Sequence, residues 1–79
     1  MARIIILNQD ELIQVVFRNF IRAGIAKEDE YELVKNGLLQ LDPCELVPIL
    51  LGSFRMANDT SAIPVVDFPI LTEKDISPN

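Results

Sequence analysis

Apolar and polar positions alternate with a helical period between Leu7 and Ile25, in the stretch LNQDELIQVVFRNFIRAGI. At about 100° per residue, the apolar side chains cover about half of the helix circumference; they are Leu12, Ile13, Val16, Phe17, Phe20 and Ile21. Asn8 followed three residues later by Glu11 is the pattern of a capping box. Gly24 supplies a residue that can adopt the left-handed conformation of a Schellman ending. The pattern therefore predicts an amphipathic helix from Asn8 to Gly24.

An apolar, β-branched run from Ala2 to Leu7 precedes this helix and shows no alternation with polar residues. Such a run predicts a short strand that is buried on both faces. A lone strand is not stable, so it needs a partner strand. The best candidate is residues 62–71, AIPVVDFPIL, because its two prolines exclude a regular helix and favour an edge strand beside Ile4 to Leu7.

Residues 26–41, AKEDEYELVKNGLLQL, fit two structures. In a helix, Asp29 would be the cap, Glu32 would complete a capping box, and the apolar residues would form one stripe; these are Tyr31, Val34, Leu38 and Leu41. In a hairpin, Asn36-Gly37 would form a type I′ turn, but both strands would then carry mixed faces. The helix is narrowly favoured, with the hairpin as the alternative for residues 29–41.

A third helix is predicted to begin at Asp42-Pro43-Cys44-Glu45, with aspartate as the cap and proline at the first position. It should run to Phe54 or Met56 and be kinked at Pro48, where the N–H is missing. Its apolar side would be formed by Leu46, Ile49, Leu50, Phe54 and Met56.

These elements predict a small α+β fold with an N-terminal strand, a capped amphipathic helix, two further helices and an extended C-terminal segment that pairs as an edge strand. A single compact domain is expected over residues 1–71. Residues 72–79, TEKDISPN, have the composition of a disordered tail.

Composition and charge exclude several classes of function. Seven basic and twelve acidic residues give a net charge of −5, which argues against binding nucleic acid or an anionic membrane surface. The start MARIIIL has too short an apolar run for a signal-peptide core, so a cytoplasmic protein is expected. One cysteine, Cys44, allows no intramolecular disulfide.

The sequence also lacks the residues of most catalytic sites. There is no histidine, which removes Ser-His and Cys-His pairs, histidine bases and the usual zinc sites. The three glycines are isolated and form no phosphate loop. Cys44 lies near a helix N-terminus, but its apolar neighbours favour a structural thiol over a reactive one. We therefore expect no enzyme activity, no metal and no cofactor.

A hydrophobic fraction of 49% is high for 79 residues, because a small domain has much surface for its volume. Some apolar surface should therefore contact another protein, a second copy, or both. The leading hypothesis is a protein-binding adaptor or inhibitor that acts as a homodimer. In size and style alone, and in no motif, the chain is similar to small bacteriophage accessory proteins, many of which bind and block a host protein. The alternatives are a structural subunit of a larger assembly and an acidic mimic of nucleic acid.

Candidate partner-binding residues come from three parts of the chain. Val15 falls within the polar face of the first helix, where it is either a tolerated exposed valine or the edge of a contact patch. An acidic cluster follows that helix, and a solvated first turn explains it as simply as a basic partner does. The full predicted set is Val15, Arg18, Arg22, Glu28, Asp29, Glu30, Val65, Val66 and Phe68.

Overall fold

The computed structural model of the protein describes residues 2–69 and confirms the α+β fold. Three helices connect two strands that pair in parallel in one sheet. In chain order the elements are β1 (Arg3–Leu7), α1 (Gln9–Arg22), a 3₁₀ turn (Glu28–Glu30), α2 (Tyr31–Leu39), α3 (Pro43–Met56) and β2 (Ala62–Val66). The predicted tail, residues 72–79, lies outside the described residues.

Helix α1 begins as its sequence predicts. The Asn8 side-chain oxygen accepts a hydrogen bond from the Glu11 N–H at 2.8 Å, and the Glu11 carboxylate accepts one from the Asn8 N–H at 3.1 Å. This capping box satisfies two N–H groups that would otherwise lack a partner. Leu7 before the cap and Leu12 inside the helix are both buried in the core, as a hydrophobic staple requires.

The end of α1 is a Schellman motif. Gly24 has φ of +76°, a conformation that costs little only for a residue without a side chain. Its N–H donates to the carbonyl of Ile21 at 3.0 Å, and the Ile25 N–H donates to the carbonyl of Phe20 at 2.8 Å. The last carbonyls of the helix are therefore satisfied by the turn itself.

The second region is helical, so the helix interpretation is confirmed and the hairpin alternative is wrong. The predicted aspartate cap is also wrong, because Asp29 lies inside the 3₁₀ turn. The Glu30 carboxylate accepts a hydrogen bond from the Lys27 N–H at 2.7 Å, which starts this turn three residues before α2. The predicted stripe of α2 is confirmed, since Leu38 is buried and Tyr31, Val34 and Leu41 pack against the core.

Helix α3 begins after Asp42 with Pro43 at its first position, as predicted. However, the Asp42 side chain makes no capping hydrogen bond, and only its backbone carbonyl accepts one, from the Glu45 N–H at 2.9 Å. The helix continues through Pro48, which is exposed. The assignment of Met56 to the apolar side is wrong, because this residue is 53% exposed.

The core lies between the helices and one face of the sheet, and the main helix contact is between α1 and α3. Its buried apolar members are Leu7, Leu12, Ile13, Val16, Leu38, Leu46, Leu50 and Phe54. A polar pair is buried among them. The Asn19 amide nitrogen donates to the Ser53 hydroxyl at 3.1 Å, and this hydroxyl donates to the carbonyl of Leu50 at 2.7 Å.

The prediction that β1 is buried on both faces is wrong. Ile5 and Leu7 pack towards the helices, but Ile4 is 71% exposed and Ile6 is 64% exposed. Successive side chains of a strand point to opposite faces, and the core covers only one face of this two-stranded sheet. The other face therefore remains open within residues 2–69.

Candidate protein-binding surfaces

The outer sheet face consists of four β-branched side chains, two from each strand. They are Ile4 (71% exposed), Ile6 (64%), Ile63 (47%) and Val65 (44%). The strand register sets Ile4 beside Ile63 and Ile6 beside Val65, so the four side chains form one continuous apolar surface. Such a surface, on a small domain, is typical of an interaction site.

The hydrogen bonds at the two ends of the sheet show which backbone groups of β1 point towards β2. The Arg3 N–H donates to the carbonyl of Ser61 at 2.7 Å, and the Asp67 N–H donates to the carbonyl of Leu7 at 2.6 Å. Backbone groups of a strand point alternately to its two sides. The odd-numbered residues of β1 therefore direct their N–H and C=O groups towards β2.

The even-numbered residues of β1 consequently direct their backbone groups away from the sheet. The N–H and C=O groups of Ile4 and Ile6 lie on the free edge of β1, where no other strand of the described chain pairs with them. Exposed, unpaired strand edges are templates for pairing with another chain. Within residues 2–69, the β1 edge is thus an open hydrogen-bonding surface next to the outer sheet face.

The free edge of β2 is different. In the parallel register, Pro64 lies opposite Ile5, so its backbone faces away from β1. Proline has no N–H, and proline on an edge strand is one way in which proteins prevent further strand pairing. The two edges of this small sheet are therefore unequal: β1 can accept another strand, and β2 is blocked at its centre.

A groove of about 260 Å³ runs between β1 and α1, and no residue of β2 lines it. Its apolar floor is formed by Ile5, Leu7, Val15 and Phe54. Its charged lining consists of Arg3, Glu11, Arg18, Arg22 and Asp59, and the amides of Gln14 and Asn19 complete the lining. The groove therefore follows the side of the sheet that has the open edge.

Asp59 organises one end of this groove. Its Oδ2 atom lies 3.3 Å from Nη2 of Arg3 and 3.5 Å from Nη1 of Arg22, which joins the start of β1 to the end of α1. Its Oδ1 atom accepts hydrogen bonds from the Ser61 hydroxyl at 3.0 Å and the Ser61 N–H at 3.2 Å. The hydroxyl of Ser61, with the two arginines, lowers the pKa of the Asp59 carboxyl.

The flank of α1 that faces the groove has its charges separated along the helix. Glu11 lies at the N-terminal end, Val15 near the middle, and Arg18 and Arg22 towards the C-terminal end. Arg22 is paired with Asp59, whereas Arg18 forms no ion pair with any residue in the range 2–69. This flank is therefore acidic at one end and basic at the other.

The structure distributes the nine predicted partner-binding residues over different places. Val15, Arg18 and Arg22 are brought together in the groove. Val65 lies on the outer sheet face. The remaining five lie elsewhere: Val66 and Phe68 pack half-buried against the core, and Glu28, Asp29 and Glu30 form the 3₁₀ turn, which does not line the groove.

The predicted site residues did not include Asp59 or the two exposed isoleucines of β1, Ile4 and Ile6. Asp59 had a weak local signal, because an aspartate two residues before a serine can accept hydrogen bonds from that residue in an Asx-type turn. Ile4 and Ile6 had none, since an unbroken apolar run does not show which side chains face water.

The described part of the chain contains no cluster of three His, Cys, Asp or Glu side chains that could hold a metal ion. Cys44 is a free, exposed thiol. Within residues 2–69, no helix combines the length and the apolar composition needed to cross a bilayer. No protein-family model, curated protein sequence or solved structure matches the chain.

Proposed function

We propose that this chain is a non-enzymatic cytoplasmic protein that binds another protein, as an adaptor or inhibitor, and acts as an oligomer. The outer sheet face is the observation that supports the proposal. Ile4, Ile6, Ile63 and Val65 expose between 44% and 71% of their surface on one side of one sheet. Covering this face with an apolar surface removes it from water, which favours association by about 25 cal/mol for each Å² buried.

The surroundings of this face define the chemistry of the partner. Asp67 directly follows β2 and lies two positions after Val65, so the alternation of the strand places it on the same side as Val65. The chain as a whole carries a net charge of −5. We therefore expect a partner surface with an apolar centre and basic residues at its rim, because opposite charges steer encounter and like charges oppose it.

Affinity capture from a lysate of the native host, with one altered residue, tests this proposal. Ile63→Lys places a charge in the outer sheet face, and Leu39→Lys is the matched control. Both residues are 47% exposed, and both changes alter the net charge equally. Leu39 is the last residue of α2 and does not belong to the outer sheet face. We expect a protein that wild type and Leu39→Lys retain and Ile63→Lys loses. Equal retention by both variants would refute the outer sheet face as the binding surface.

One observation favours the second candidate function, a structural subunit of a larger assembly. The open β1 edge can pair with another strand, and repeated pairing would build an extended sheet. Continued growth needs a second open edge, however, and Pro64 removes a donor from the edge of β2. The sheet therefore supports a closed oligomer better than a growing one.

A further inference from the structure

We propose that two copies of the chain join through their β1 edges, antiparallel about a two-fold axis, to form a four-stranded sheet in the order β2-β1-β1-β2. This inference rests on the oligomer included in the proposed function and specifies its geometry. A two-stranded sheet is marginally stable by itself, and two further strands improve it. Most oligomers of identical chains use such a symmetric contact, in which the same surface meets itself.

The hydrogen bonds of this contact follow from the free backbone groups. Ile4 and Ile6 are the two residues of β1 whose N–H and C=O groups both point away from β2, towards the free edge. If the two-fold axis passes beside Ile5, Ile4 of each copy lies opposite Ile6 of the other. Residues opposed in this way in an antiparallel pair exchange both hydrogen bonds. This register therefore satisfies every outward group of Ile4 and Ile6.

The charges on α1 favour a second copy over an unrelated strand. The flank of α1 beside the groove is acidic at Glu11 and basic at Arg18. A two-fold axis across the β1 edges sets the two flanks antiparallel, with Glu11 of each copy towards Arg18 of the other. Arg18 forms no ion pair with the described residues of its own chain and is available for this contact. The flank is thus complementary to itself.

Pro64 limits the assembly to two copies. Both outer edges of the four-stranded sheet are β2 strands, and each lacks an N–H at the residue in its centre. A two-fold axis perpendicular to the sheet keeps both outer sheet faces on the same side of the four-stranded sheet. The dimer therefore presents a continuous apolar surface that is twice as large as the outer sheet face of one copy. The dimer therefore also enlarges the surface proposed to bind a foreign protein.

Amide hydrogen exchange and mass, measured together over a range of protein concentrations, test the contact. We expect a mass twice the 8.9 kDa of one chain. The Ile4 and Ile6 amides should become protected as the dimer forms. The control amides are those of Ala62 and Val66, which face outward on β2 and should exchange rapidly at every concentration. A monomer at all concentrations, or a dimer with unprotected Ile4 and Ile6 amides, would overturn the proposal.

Two pairs of variants separate the elements of the inference. Arg18→Glu should weaken the dimer roughly tenfold through the loss of two exposed ion pairs, and Arg55→Glu, an equal charge change on an exposed part of α3, should not. Equal effects would refute the antiparallel helix contact.

Pro64→Val restores an N–H to the β2 edge and should yield species larger than a dimer, whereas Pro69→Val, outside the strand, should not. A Pro64→Val protein that remains a dimer would refute the closure by proline. If Ile63→Lys still retains the captured protein, the dimer mass and amide protection expected here are unchanged, so the surface for a foreign protein and the dimer contact can fail separately.

Discussion

The helical layer and the sheet use the same residue type in opposite ways. Ile13 on α1 is 1% exposed, whereas Ile4 on β1 is 71% exposed. The difference lies in their neighbours. Ile13 lies within the core that α1 and α3 enclose, whereas Ile4 lies on the face of the sheet that the core does not cover. Hydrophobicity alone therefore does not decide which residues stabilise the fold and which are left for a partner.

This contrast indicates that the helical layer forms most of the core, whereas the sheet provides the exposed apolar surface. Most buried side chains lie where α1 and α3 pack, and Asn19 and Ser53 form a buried hydrogen bond between these helices. The sheet contributes one face to this core and leaves its other face open. Asp59 joins the sheet to the helical layer, because its carboxylate contacts Arg3 of β1 and Arg22 of α1.

The largest effect should come from truncating the core of the helical layer. Leu50 is 1% exposed, and Leu50→Ala should cost about 2–5 kcal/mol of unfolding free energy through lost burial and a cavity. Ile6→Ala removes a similar side chain from the outer sheet face and should cost less than about 1 kcal/mol in the monomer. Denaturant unfolding at low protein concentration measures both. Equal losses would mean that the sheet is as stabilising as the helices.

The buried polar pair should give the next largest effect. Ser53→Ala removes the acceptor of the Asn19 amide and should cost about 1–3 kcal/mol, because the buried N–H loses its partner. Adding Asn19→Leu replaces both polar groups and should recover much of this loss. If the double variant is as unstable as Ser53→Ala, packing around these residues matters more than their hydrogen bond.

The junction between the two regions should depend on pH. The pKa of Asp59 is lowered below its ordinary value of 3.8, so its carboxylate stabilises the fold above that pH. This contribution is lost as the pH falls through the lowered value. The stability difference between wild type and Asp59→Asn should therefore be greatest at neutral pH and shrink below about pH 4. Asp67→Asn, on an exposed residue, controls for the loss of one negative charge. A pH-independent difference would exclude the ion pairs as its cause.

The smallest effect is expected at the start of α3. Asp42 occupies the cap position without a side-chain hydrogen bond, so Asp42→Ala should cost less than about 0.5 kcal/mol. Asn8→Ala at the start of α1 removes an observed capping bond and should cost about 1 kcal/mol. Thermal unfolding of the two variants compares them. A larger loss for Asp42→Ala would show that its carboxylate caps the helix in solution.

The elements of this fold could be predicted because their ends are encoded locally. Asn8 and Glu11 cap the start of α1, and Gly24 ends this helix. Pro43 is the first residue of α3. Each signal therefore lies within a few residues of the helix end that it determines. The grouping of Val15, Arg18 and Arg22 followed from helical spacing alone.

Contacts between distant parts of the chain could not be predicted in this way. The Asn19–Ser53 bond spans 34 positions and the Arg3–Asp59 pair spans 56, so neither leaves a local pattern. The open outer sheet face was missed for another reason. Residues 4–7 are apolar at every position, so the alternation that normally marks a strand covered on one face is absent from this run.

The parallel pairing of β1 with β2 also has a consequence for how the chain folds. Arg3 pairs with Ala62, so β1 is synthesised before β2 and meets it only after the three helices between them have been synthesised. Contacts between residues so far apart form slowly, because a long loop must close first. During this interval the segment RIIIL is an unpaired, aggregation-prone strand in the nascent chain. Rapid formation of the capped α1 directly after it would shorten the exposure of Leu7 but not that of Ile4 and Ile6.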